Sequence, residues 1–586
     1  MCGLLAIAGL DRPFSHSLLE SLRNRGPDAI GFWSNGKLNV GHTRLAILGL
    51  GHDNDEPMEN DRFVLAYNGE IYNFGDLKQR LAGDRPIGSH ANDAGVLLEG
   101  WTAMGEAILT QLEGFWAFVL YDKLENKLFL VRDQIGIKPL YYYKSGSQIV
   151  VSSMLGTISD TLGGGLTLDY LALSEYVRYQ YTFGDKTFFK DVKKVLPGHV
   201  VEIDLDTGEL EMRCYEDLLT SLHGGKGVAP DEAWMDETRA LLRDCVVSAT
   251  ISDTSFTTFC SGGIDSSLIT SIAAPEIAYH CNFSDPDCNE TFYAQQVVRD
   301  MDTRLFTVNA QEDFELVPKL ASIVEDFDEL TIGSVILPLE DLLSQVKRRY
   351  KVILTGTGGD ELFAGYVRFM LARGECRQDS YRGLFERVMK LEGAAQRFEL
   401  THKKGDLDLY PFYDDAAKHS FETEFDATLE REKDELAAMM RFDQRNFLRG
   451  LLNIDDKMGG RHSLESRPPL LHQRLLRHLQ HVDLGAFLED GELKSKLRKI
   501  AGGQIPDSVI YRKDKMGFTT PIGTFVNKSA DRIRETIMDS PFRDHYNLKK
   551  ARFTADSKFS REVFGLLMLD LWLNRYATPS AARFNG

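Results

Sequence analysis

The chain has 586 residues, of which 43% are hydrophobic and 26% are charged. This composition is typical of soluble globular proteins, and the length suits about four domains of average size or two larger ones. The 68 basic and 87 acidic residues leave a net charge of −19, which argues against a nucleic-acid-binding surface but allows a local basic pocket. No run of about 18 apolar residues is present, so a membrane span is not expected.

The seven cysteines predict reduced thiols. They are odd in number, irregularly spaced and without a Cys-x-x-Cys pair, so neither a disulfide framework nor a zinc site is expected. The first residues, MCGLLAIAGLDR, contain no basic leader and no long apolar core, so we do not expect a secretory signal. These features predict a cytoplasmic protein.

Cys2 is the first candidate for a nucleophile. If Met1 is removed, the thiol lies on the amino-terminal residue, and the α-amine of that residue, with a pKa of about 8, can activate the sulfur. Considered alone, Cys2 is more simply interpreted as a small buried residue at the start of a strand. The motifs that follow it favour the nucleophile.

A series of motifs covers most of the first 140 residues. They are Arg25-Gly26-Pro27-Asp28, His42-Thr43-Arg44-Leu45-Ala46, Tyr67-Asn68-Gly69-Glu70-Ile71-Tyr72-Asn73, Asp93, Leu112-Glu113-Gly114-Phe115-Trp116-Ala117 and Arg132-Asp133-Gln134-Ile135-Gly136-Ile137-Lys138-Pro139-Leu140. Together they resemble the glutaminase domain of class II glutamine amidotransferases. The resemblance implies an N-terminal-nucleophile fold, with two sheets between layers of helices, that converts glutamine to glutamate and ammonia.

The resemblance also implies how the reaction intermediate is stabilised. Attack of the Cys2 thiolate on the side-chain amide of glutamine produces a tetrahedral oxyanion. The side-chain amide of Asn68 and the backbone N–H of Gly69 match the oxyanion-hole positions of the family. Both residues therefore belong to the predicted glutamine site.

Three further residues match glutamine-binding positions. The planar guanidinium of Arg44 would hold the glutamine carboxylate, Asp93 would hold its α-ammonium group, and Glu70 belongs to the same set. Gly95 departs from the family, which often has an acid there. Arg44 alone could be a surface cation and Asp93 a turn residue, but the intact neighbouring motifs favour binding.

A domain boundary is predicted in the middle of the chain. Residues 222–230 contain three glycines and are typical of a linker. The apolar spacing from Asp231 to Thr250 predicts a helix. We therefore place a glutaminase domain at residues 2–210 and a second domain at residues 231–586.

The second domain contains a strand, a glycine-bearing turn and a helix. Phe256 to Cys260 has the residues of a buried strand, and the helix can start after the sequence SGGIDSS at 261–267. Glycines in such a turn let backbone N–H groups approach an anion at the start of a helix. The stretch resembles the pyrophosphate loop of ATP-pyrophosphatases, which cleave ATP to AMP and pyrophosphate. Its predicted ATP-binding residues are Ser261, Gly262, Gly263, Asp265, Ser266 and Ser267.

A second glycine-rich turn follows an apolar strand at Lys351 to Leu354. Such turns lie at the carboxyl edge of parallel sheets, where these folds bind ligands. Gly356, Gly358 and Asp360 are therefore added to the predicted ATP site. By the resemblance, Asp265 and Asp360 hold Mg²⁺, although either acid alone could be a solvated turn residue.

The motifs continue in order towards the carboxyl terminus. They are Asp456-Lys457-Met458, His462-Ser463-Leu464-Glu465-Ser466-Arg467-Pro468-Pro469-Leu470, Lys494, Leu497-Arg498 and Arg512-Lys513-Asp514-Lys515-Met516-Gly517-Phe518. The full series resembles the glutamine-hydrolysing asparagine synthetases. Lys515 matches the family lysine near the α-phosphate of ATP, where negative charge builds as pyrophosphate leaves. Arg512 is a second candidate for that role.

The resemblance implies an α/β protein with an αββα glutaminase domain followed by a nucleotide α-hydrolase-like ATP-pyrophosphatase domain with added helices. In such enzymes ATP adenylates a carboxylate, which is classically the side chain of aspartate. Ammonia from the thiol site then passes through an interior, largely apolar tunnel and displaces AMP. The implied cofactors are ATP and Mg²⁺, and a homodimer is usual among relatives.

Three departures leave the acceptor open. The family usually has a glutamate, proposed to handle protons on the attacking ammonia, where this chain has Thr357, and a hydroxyl is not a comparable base. The usual aspartate near residue 471 is replaced by Leu471-His472, and Thr519-Thr520 replaces a Gly-Val pair. The acceptor is therefore aspartate or another carboxylate, such as a natural-product, sugar or peptide acid. A β-lactam-forming relative or a catalytically silent binding protein is disfavoured by the intact chemical groups.

Overall fold

The computed structural model describes residues 1–10, 15–82, 92–223, 226–331, 333–376, 378–404, 416–512, 520–548, 552–557 and 561–577. Two antiparallel sheets form the amino-terminal half. Their strands are β1 (Gly3–Ala8), β2 (Ala29–Ser34), β3 (Leu38–Arg44), β4 (Met58–Glu59), β5 (Phe63–Ile71), β6 (Gly114–Asp122), β7 (Lys127–Arg132), β8 (Tyr141–Ser145), β9 (Gln148–Ser152), β10 (Val192–Lys194), β11 (His199–Asp204) and β12 (Leu210–Cys214). The helices of this half are α1 (Ser17–Glu20), α2 (Phe74–Ala82), α3 (Asp93–Met104), α4 (Leu155–Leu162) and α5 (Tyr170–Tyr179).

The two sheets face each other across a hydrophobic layer. Their strand orders are β10-β8-β9-β1-β3-β2 and β12-β11-β7-β6-β5-β4. Because successive side chains of a strand point to opposite faces, Leu4 and Ala6 of β1 pack between the sheets, whereas Leu5 and Ile7 pack with the helices beyond. The outer face of the second sheet is covered by α2 and α3. These layers confirm the predicted αββα sandwich.

A five-stranded parallel sheet forms the centre of the carboxyl-terminal half. Its strands are β13 (Phe256–Phe259), β14 (Ile277–Asn282), β15 (Arg304–Asn309), β16 (Val352–Leu354) and β17 (Glu465–Arg467). The order is β15-β14-β13-β16-β17. The chain therefore adds β14 and β15 on one side of β13 and then adds β16 and β17 on its other side, so the order of strands reverses between the parallel neighbours β13 and β16. In such sheets the crevice outside the carboxyl ends of the two strands at the reversal is the usual ligand site. Both predicted glycine-rich turns leave the sheet at this point.

Helices surround the parallel sheet and fill the long connection between β16 and β17. They are α6 (Glu232–Ser248), α7 (Ile264–Ala273), α8 (Thr291–Val298), α9 (Leu316–Val324), α10 (Ile336–Val346), α11 (Gly359–Leu362), α12 (Val367–Arg373), α13 (Arg382–Val388), α14 (Ala394–His402), α15 (Ala416–Glu432), α16 (Glu435–Arg445), α17 (Phe447–Arg461), α18 (Gln473–Leu479), α19 (Ser495–Ala501), α20 (Asp507–Ile510), α21 (Ile522–Lys528), α22 (Ala530–Asp539) and α23 (Glu562–Tyr576). Helix α23 is buried on nearly all sides, as its apolar sequence predicts.

The two halves share one hydrophobic core. Residues from the helical side of the first sheet and from the parallel-sheet half belong to a single buried cluster. The predicted linker also packs against the second half, because Val228 pairs with Val482. No helix in the described part of the chain is long and apolar enough to cross a membrane.

Candidate functional site

Cys2 lies directly before β1, and its backbone nitrogen contacts the neighbouring sheet. This nitrogen donates a hydrogen bond to Oδ1 of Asn68 on β5 at 2.9 Å. The Nδ2 atom of Asn68 is buried and has no hydrogen-bond partner among the residues that the structure describes. An unpaired buried N–H group is costly unless a ligand accepts from it. The oxygen of Asn68 therefore binds the backbone of Cys2, and its nitrogen is a donor that a ligand could use.

Gly69 follows Asn68 in β5, opposite Trp116 of β6. A Cβ at this position would lie 2.2 Å from the carbonyl oxygen of Phe115, so a side chain would force the two strands apart. The backbone geometry at this predicted oxyanion position thus requires glycine.

Met1, the first residue of the sequence, is buried. Its amine lies 3.9 Å from Oε2 of Glu465, and burial lowers the pKa of this amine to about 5. Burial also raises the pKa of the Cys2 thiol. With Met1 in place the nitrogen of Cys2 belongs to a peptide bond and cannot act as a base.

Arg44 and Asp93, the predicted ligands of the two charged groups of glutamine, have different partners. Both terminal nitrogens of Arg44 donate to main-chain carbonyls in residues 48–51, and one of them also donates to Asp55 at 2.8 Å. A bound carboxylate would share this guanidinium with Asp55 or use its Nε–H. Asp93 is buried at the start of α3, where Oδ2 accepts from the Tyr67 hydroxyl at 2.8 Å and from the Ile71 N–H at 3.0 Å.

Glu70 joins the two halves of the molecule. Its Oε2 atom accepts a hydrogen bond from Nη2 of Arg467, at the end of β17, at 2.7 Å. Burial raises the pKa of Glu70 well above its usual value, although the Arg467 charge opposes the rise. The resemblance assigned Glu70 to glutamine binding, and the structure adds a contact with the second half that the sequence did not predict.

The first glycine-rich turn has the backbone geometry that its sequence predicts. Gly262 has a φ of +80°, and a Cβ there would lie 2.7 Å from Tyr293. Gly263 has an extended backbone and precedes α7. The hydroxyl of Ser266 accepts a hydrogen bond from the N–H of Ser261 at 3.1 Å. Ser267 and Asp265 lie in the first turn of α7, where backbone N–H groups favour an anion.

The second turn packs onto the first. A Cβ at Gly356 would lie 2.8 Å from the Ser266 nitrogen, and one at Gly359 would lie 2.1 Å from Oδ1 of Asp265. Gly358, with a φ of +98°, leads into α11. Only residues without side chains allow this approach, so the contact between the turns explains Gly356 and Gly359.

The predicted metal-binding acids converge on one ammonium group. Nζ of Lys494 lies 2.5 Å from Oδ2 of Asp265 and 2.8 Å from Oδ1 of Asp360. Burial alone would lower the pKa of Lys494, but the two carboxylates raise it above its ordinary value, so this group is a cation. Lys494 also has a left-handed backbone conformation, with a φ of +57°, a strain that is concentrated at functional sites.

The donor set at this point fits Mg²⁺. Mg²⁺ is usually held by one or two carboxylates together with substrate phosphates, and two carboxylates meet here beside an anion-binding turn. Among the described residues no cluster of three or more His, Cys, Asp or Glu side chains could hold a metal. A metal at Asp265 and Asp360 would therefore depend on the nucleotide for its remaining ligands.

Arg512 also reaches the first turn. Its guanidinium donates to the carbonyl of Gly262 at 3.1 Å and to Glu290 at 2.6 Å, and it lies 3.9 Å from the centre of the Tyr293 ring. Lys515 and Thr519 lie outside the described residues. The prediction for Lys515 therefore stays untested, whereas Arg512, the second candidate, contacts the first glycine-rich turn.

His472 does not face the two turns. Its ring stacks on Tyr72 of the amino-terminal half at 5.7 Å, and Nδ1 accepts a hydrogen bond from the Arg474 N–H. Burial lowers its pKa to about 3, so the ring is neutral. We expected His472 to mark the acceptor pocket, but its visible role is packing between the halves, which a neutral aromatic ring performs well.

A buried ion pair connects the thiol site to α17. Arg25 donates to the carbonyl oxygen of Cys2 at 3.0 Å and to both carboxylate oxygens of Asp456 at 2.7 and 3.2 Å. Nζ of Lys138 lies 3.6 Å from the same carboxylate. Burial alone would raise the pKa of Asp456, but the charges of Arg25 and Lys138 hold it below its usual value. The preceding residue of α17, Asp455, accepts a hydrogen bond from the Thr357 hydroxyl of the second turn at 2.6 Å, so one helix contacts both candidate sites.

Sequence reasoning missed three residues of this arrangement. Lys494 was noted only as part of a motif series, Arg25 was noted without a role, and Asp455 was not singled out. The signal for Asp455 was its position beside the Asp456-Lys457-Met458 motif. The signal for Lys494 was its place in a basic stretch, LKSKLRK at 493–499, between two motifs of the series.

Comparison with known proteins gives a match for each half. Residues 1–216 match the family model of the glutamine amidotransferase domain, and residues 237–574, more than half of the chain, match that of asparagine synthase. Asparagine synthetase (glutamine-hydrolyzing) 3 of Bacillus subtilis (strain 168) is 26% identical over 590 residues, which cover 94% of this chain and 92% of that protein. Asparagine synthetase (glutamine-hydrolyzing) 1 of the same organism is 27% identical over 596 residues, with coverage of 94% and 92%.

Proposed function

Because the chain belongs to the asparagine synthase family, we propose that it forms an amide from the side-chain nitrogen of glutamine and a carboxylate that ATP has activated, with aspartate as the first candidate acceptor. The observation that carries this proposal is the convergence of Asp265 and Asp360 on Lys494 at the reversal point of the parallel sheet. These acids are far apart in the sequence, and an ATP site needs them together.

The amino-terminal half supplies ammonia in this proposal. Removal of Met1 would turn the nitrogen of Cys2 into a free amine that Asn68 Oδ1 already holds at 2.9 Å. The amine takes the thiol proton, and the thiolate attacks the glutamine amide. The unpaired Nδ2 of Asn68 and the N–H of Gly69 stabilise the oxyanion. Arg44, Glu70 and Asp93 bind the rest of glutamine.

The carboxyl-terminal half activates the acid. Backbone N–H groups of the first turn and the hydroxyls of Ser261, Ser266 and Ser267 bind phosphate oxygens, with Gly262, Gly263, Gly356 and Gly358 allowing the close approach. Asp265 and Asp360 would hold Mg²⁺, which neutralises phosphate charge when it is bound. Arg512 and Lys515 are the proposed cations for the charge that develops as pyrophosphate leaves.

A non-aspartate acceptor is the second candidate. Thr357, which replaces the family glutamate, lies in the turn that packs on Asp265, so this departure belongs to the synthetase site. His472 no longer supports this alternative, because it packs against Tyr72. A cytoplasmic location and a homodimer stay predictions.

The function is tested by incubating the mature protein with ATP, Mg²⁺ and glutamine, and supplying aspartate, a uronic acid or a short peptide acid. We expect AMP and pyrophosphate to form only when the correct acid is present. Formation of ADP, or AMP formation that no acid changes, would contradict the proposal. Aspartate dependence would separate the two candidate acceptors.

The first prediction concerns the thiol. Cys2→Ala should reduce glutamine hydrolysis to the background rate, because the covalent route is removed. Ammonium chloride should still support amide formation in this variant, since the ATP site is intact. The measurement is glutamate release and amide yield with each nitrogen source. Glutamine hydrolysis at the wild-type rate would show that Cys2 is not the nucleophile.

A further inference from the structure

Asp455 of α17 binds the turn in which the family glutamate is missing. Its Oδ2 atom accepts a hydrogen bond from the hydroxyl of Thr357 at 2.6 Å and one from the hydroxyl of Thr355 at 3.3 Å. The two hydroxyls lie 3.2 Å apart. Oδ1 of Asp455 accepts no hydrogen bond from the residues that the structure describes. One carboxylate oxygen is thus held by the turn, and the other is available.

This carboxylate is on a segment of α17 that contacts both candidate sites. Asp456, the next residue of α17, pairs with Arg25, which contacts the Cys2 carbonyl. On the other side Thr357 precedes Gly359, the residue that packs on Asp265. Asp455 is only partly buried, so its carboxylate is not fully enclosed by the described residues.

We propose that Asp455 is the proton acceptor for ammonia when it attacks the activated acid, and that Thr357 positions its carboxylate. The inference rests on the proposed function. It supplies the carboxylate that the chain lacks at residue 357, from a neighbouring helix. Thr357 takes no proton itself, because its hydroxyl donates to Asp455.

The step balances without a further reactant. The lone pair of ammonia forms the C–N bond to the acyl carbon of the acyl-adenylate. The bond between that carbon and the phosphate oxygen breaks, and AMP leaves with the electron pair. The proton that the nitrogen must lose goes to Oδ1 of Asp455, and water removes it after the amide has left.

The ionisation of Asp455 suits this role. Burial raises its pKa to about 6, and Asp456 adds to the rise, whereas Thr357, Thr355 and Lys138 oppose it. At neutral pH the group is mostly a carboxylate, and its pKa is near the operating pH, as efficient proton transfer requires. A purely structural role, in which Asp455 only ties the turn to α17, needs a hydrogen-bond acceptor but no base.

Asp455→Asn distinguishes the two roles, because the amide oxygen of asparagine can accept from Thr357 but cannot take a proton. We expect amide formation to fall by about 100-fold or more. Glutamine hydrolysis and acid-dependent exchange of pyrophosphate into ATP should be unchanged. Amide formation at the wild-type rate, or a parallel loss of pyrophosphate exchange, would overturn the proposal.

A double variant distinguishes loss of the base from misfolding of the single variant Asp455→Asn. Thr357→Glu with Asp455→Asn places the carboxylate on the turn and should form amide much faster than Asp455→Asn. A double variant that exchanges pyrophosphate but gains no amide formation would also overturn the inference. Asp570→Asn is the matched control, since Asp570 is a buried carboxylate of α23 with a pKa of about 6 that accepts from the Tyr546 hydroxyl. It should leave amide formation unchanged.

Failure of the proposed function has a different signature. Wild-type protein would then show no acid-dependent pyrophosphate exchange with aspartate, a uronic acid or a peptide acid, and the inference would fall with it. Exchange in the wild type together with full activity of Asp455→Asn would reject the inference alone.

Discussion

At the scale of single residues, the amino-terminal half keeps several ionisable groups out of water beside the thiol. Oε2 of Glu56 accepts from the Tyr67 N–H at 2.6 Å, and its Oε1 lies 3.8 Å from Nε2 of His42. Burial raises the pKa of Glu56 from 4.5 to about 8, so it is mostly protonated at neutral pH. The protonated carboxyl is the more stable form in this core, because a charged carboxylate would lose the water that stabilises its charge.

This protonation predicts a pH dependence of stability. The pKa of Glu56 is higher in the folded chain than in the unfolded one, so the folded chain binds more protons between about pH 4.5 and 8. The free energy of unfolding should therefore fall as the pH rises through this window, by at most about 1.4 kcal/mol per pH unit from this group. Glu56→Gln should remove that part of the slope, measured by thermal unfolding at several pH values. Glu59→Gln, at an exposed carboxylate, is the control, and an equal change in both variants would contradict the prediction.

Residue identity alone predicted part of the site. Cys2, Asn68 and Gly69 could be selected from the sequence because they lie within motifs, and the structure brings Cys2 and Asn68 into contact. Glu70 could not be understood in this way. Its partner Arg467 lies at the end of a strand in the other half, and no local pattern specifies a contact over that distance.

At the scale of elements, the strand-turn-helix unit was the most predictable part of the molecule. The β-branched strand, the glycines and the following helix at 256–273 each have a local cause, so the sequence predicts all three. The meeting of the two turns was predicted only through the family resemblance. The pairing of β13 with β16 depends on the order of the strands in the sheet, which local patterns do not contain.

The packing of the two turns makes Gly359 a sensitive position. Gly359→Ala places a Cβ at 2.1 Å from Oδ1 of Asp265, so that carboxylate must move. We expect acid-dependent AMP formation to fall by about 100-fold, as for a misplacement of about 1 Å, while glutamine hydrolysis is unchanged. Gly383→Ala is a matched control, because nothing lies within 4 Å of a Cβ there. Equal AMP formation in the two variants would show that the turns do not depend on this contact.

At the scale of the whole molecule, the two halves form one body because they share both a hydrophobic core and buried charges. Arg25 and Lys138 of the first half meet Asp456 of the second, and all three are almost fully buried. Arg575 and Asp160 also join the halves, but both are about 40% exposed. Removing one partner of a buried ion pair is costly, because the remaining charge is left without a counter-charge or solvating water. Removing one partner of an exposed pair changes the free energy of unfolding little, because water solvates the remaining charge.

The two cross-half pairs predict different costs. Asp456→Asn should lower the free energy of unfolding by about 3 to 5 kcal/mol, since Arg25 is left buried without its counter-charge. Asp160→Asn should lower it by no more than about 1 kcal/mol. Denaturant unfolding of both variants measures the difference. Equal losses would mean that the buried pair does not hold the halves together.

The position of Met1 has a consequence for the order of events during biosynthesis. Met1 is 1% exposed, and a Cβ at Gly459 of α17 would lie 2.5 Å from its terminal methyl group. The ribosome adds α17 roughly 20 to 90 s after the start of the chain, at about 5–20 residues per second. Until α17 has been made and has docked, an aminopeptidase can reach Met1. We therefore expect trimming to precede docking of the second half, because a chain that folds untrimmed would enclose its own initiator residue and keep Cys2 without a free amine.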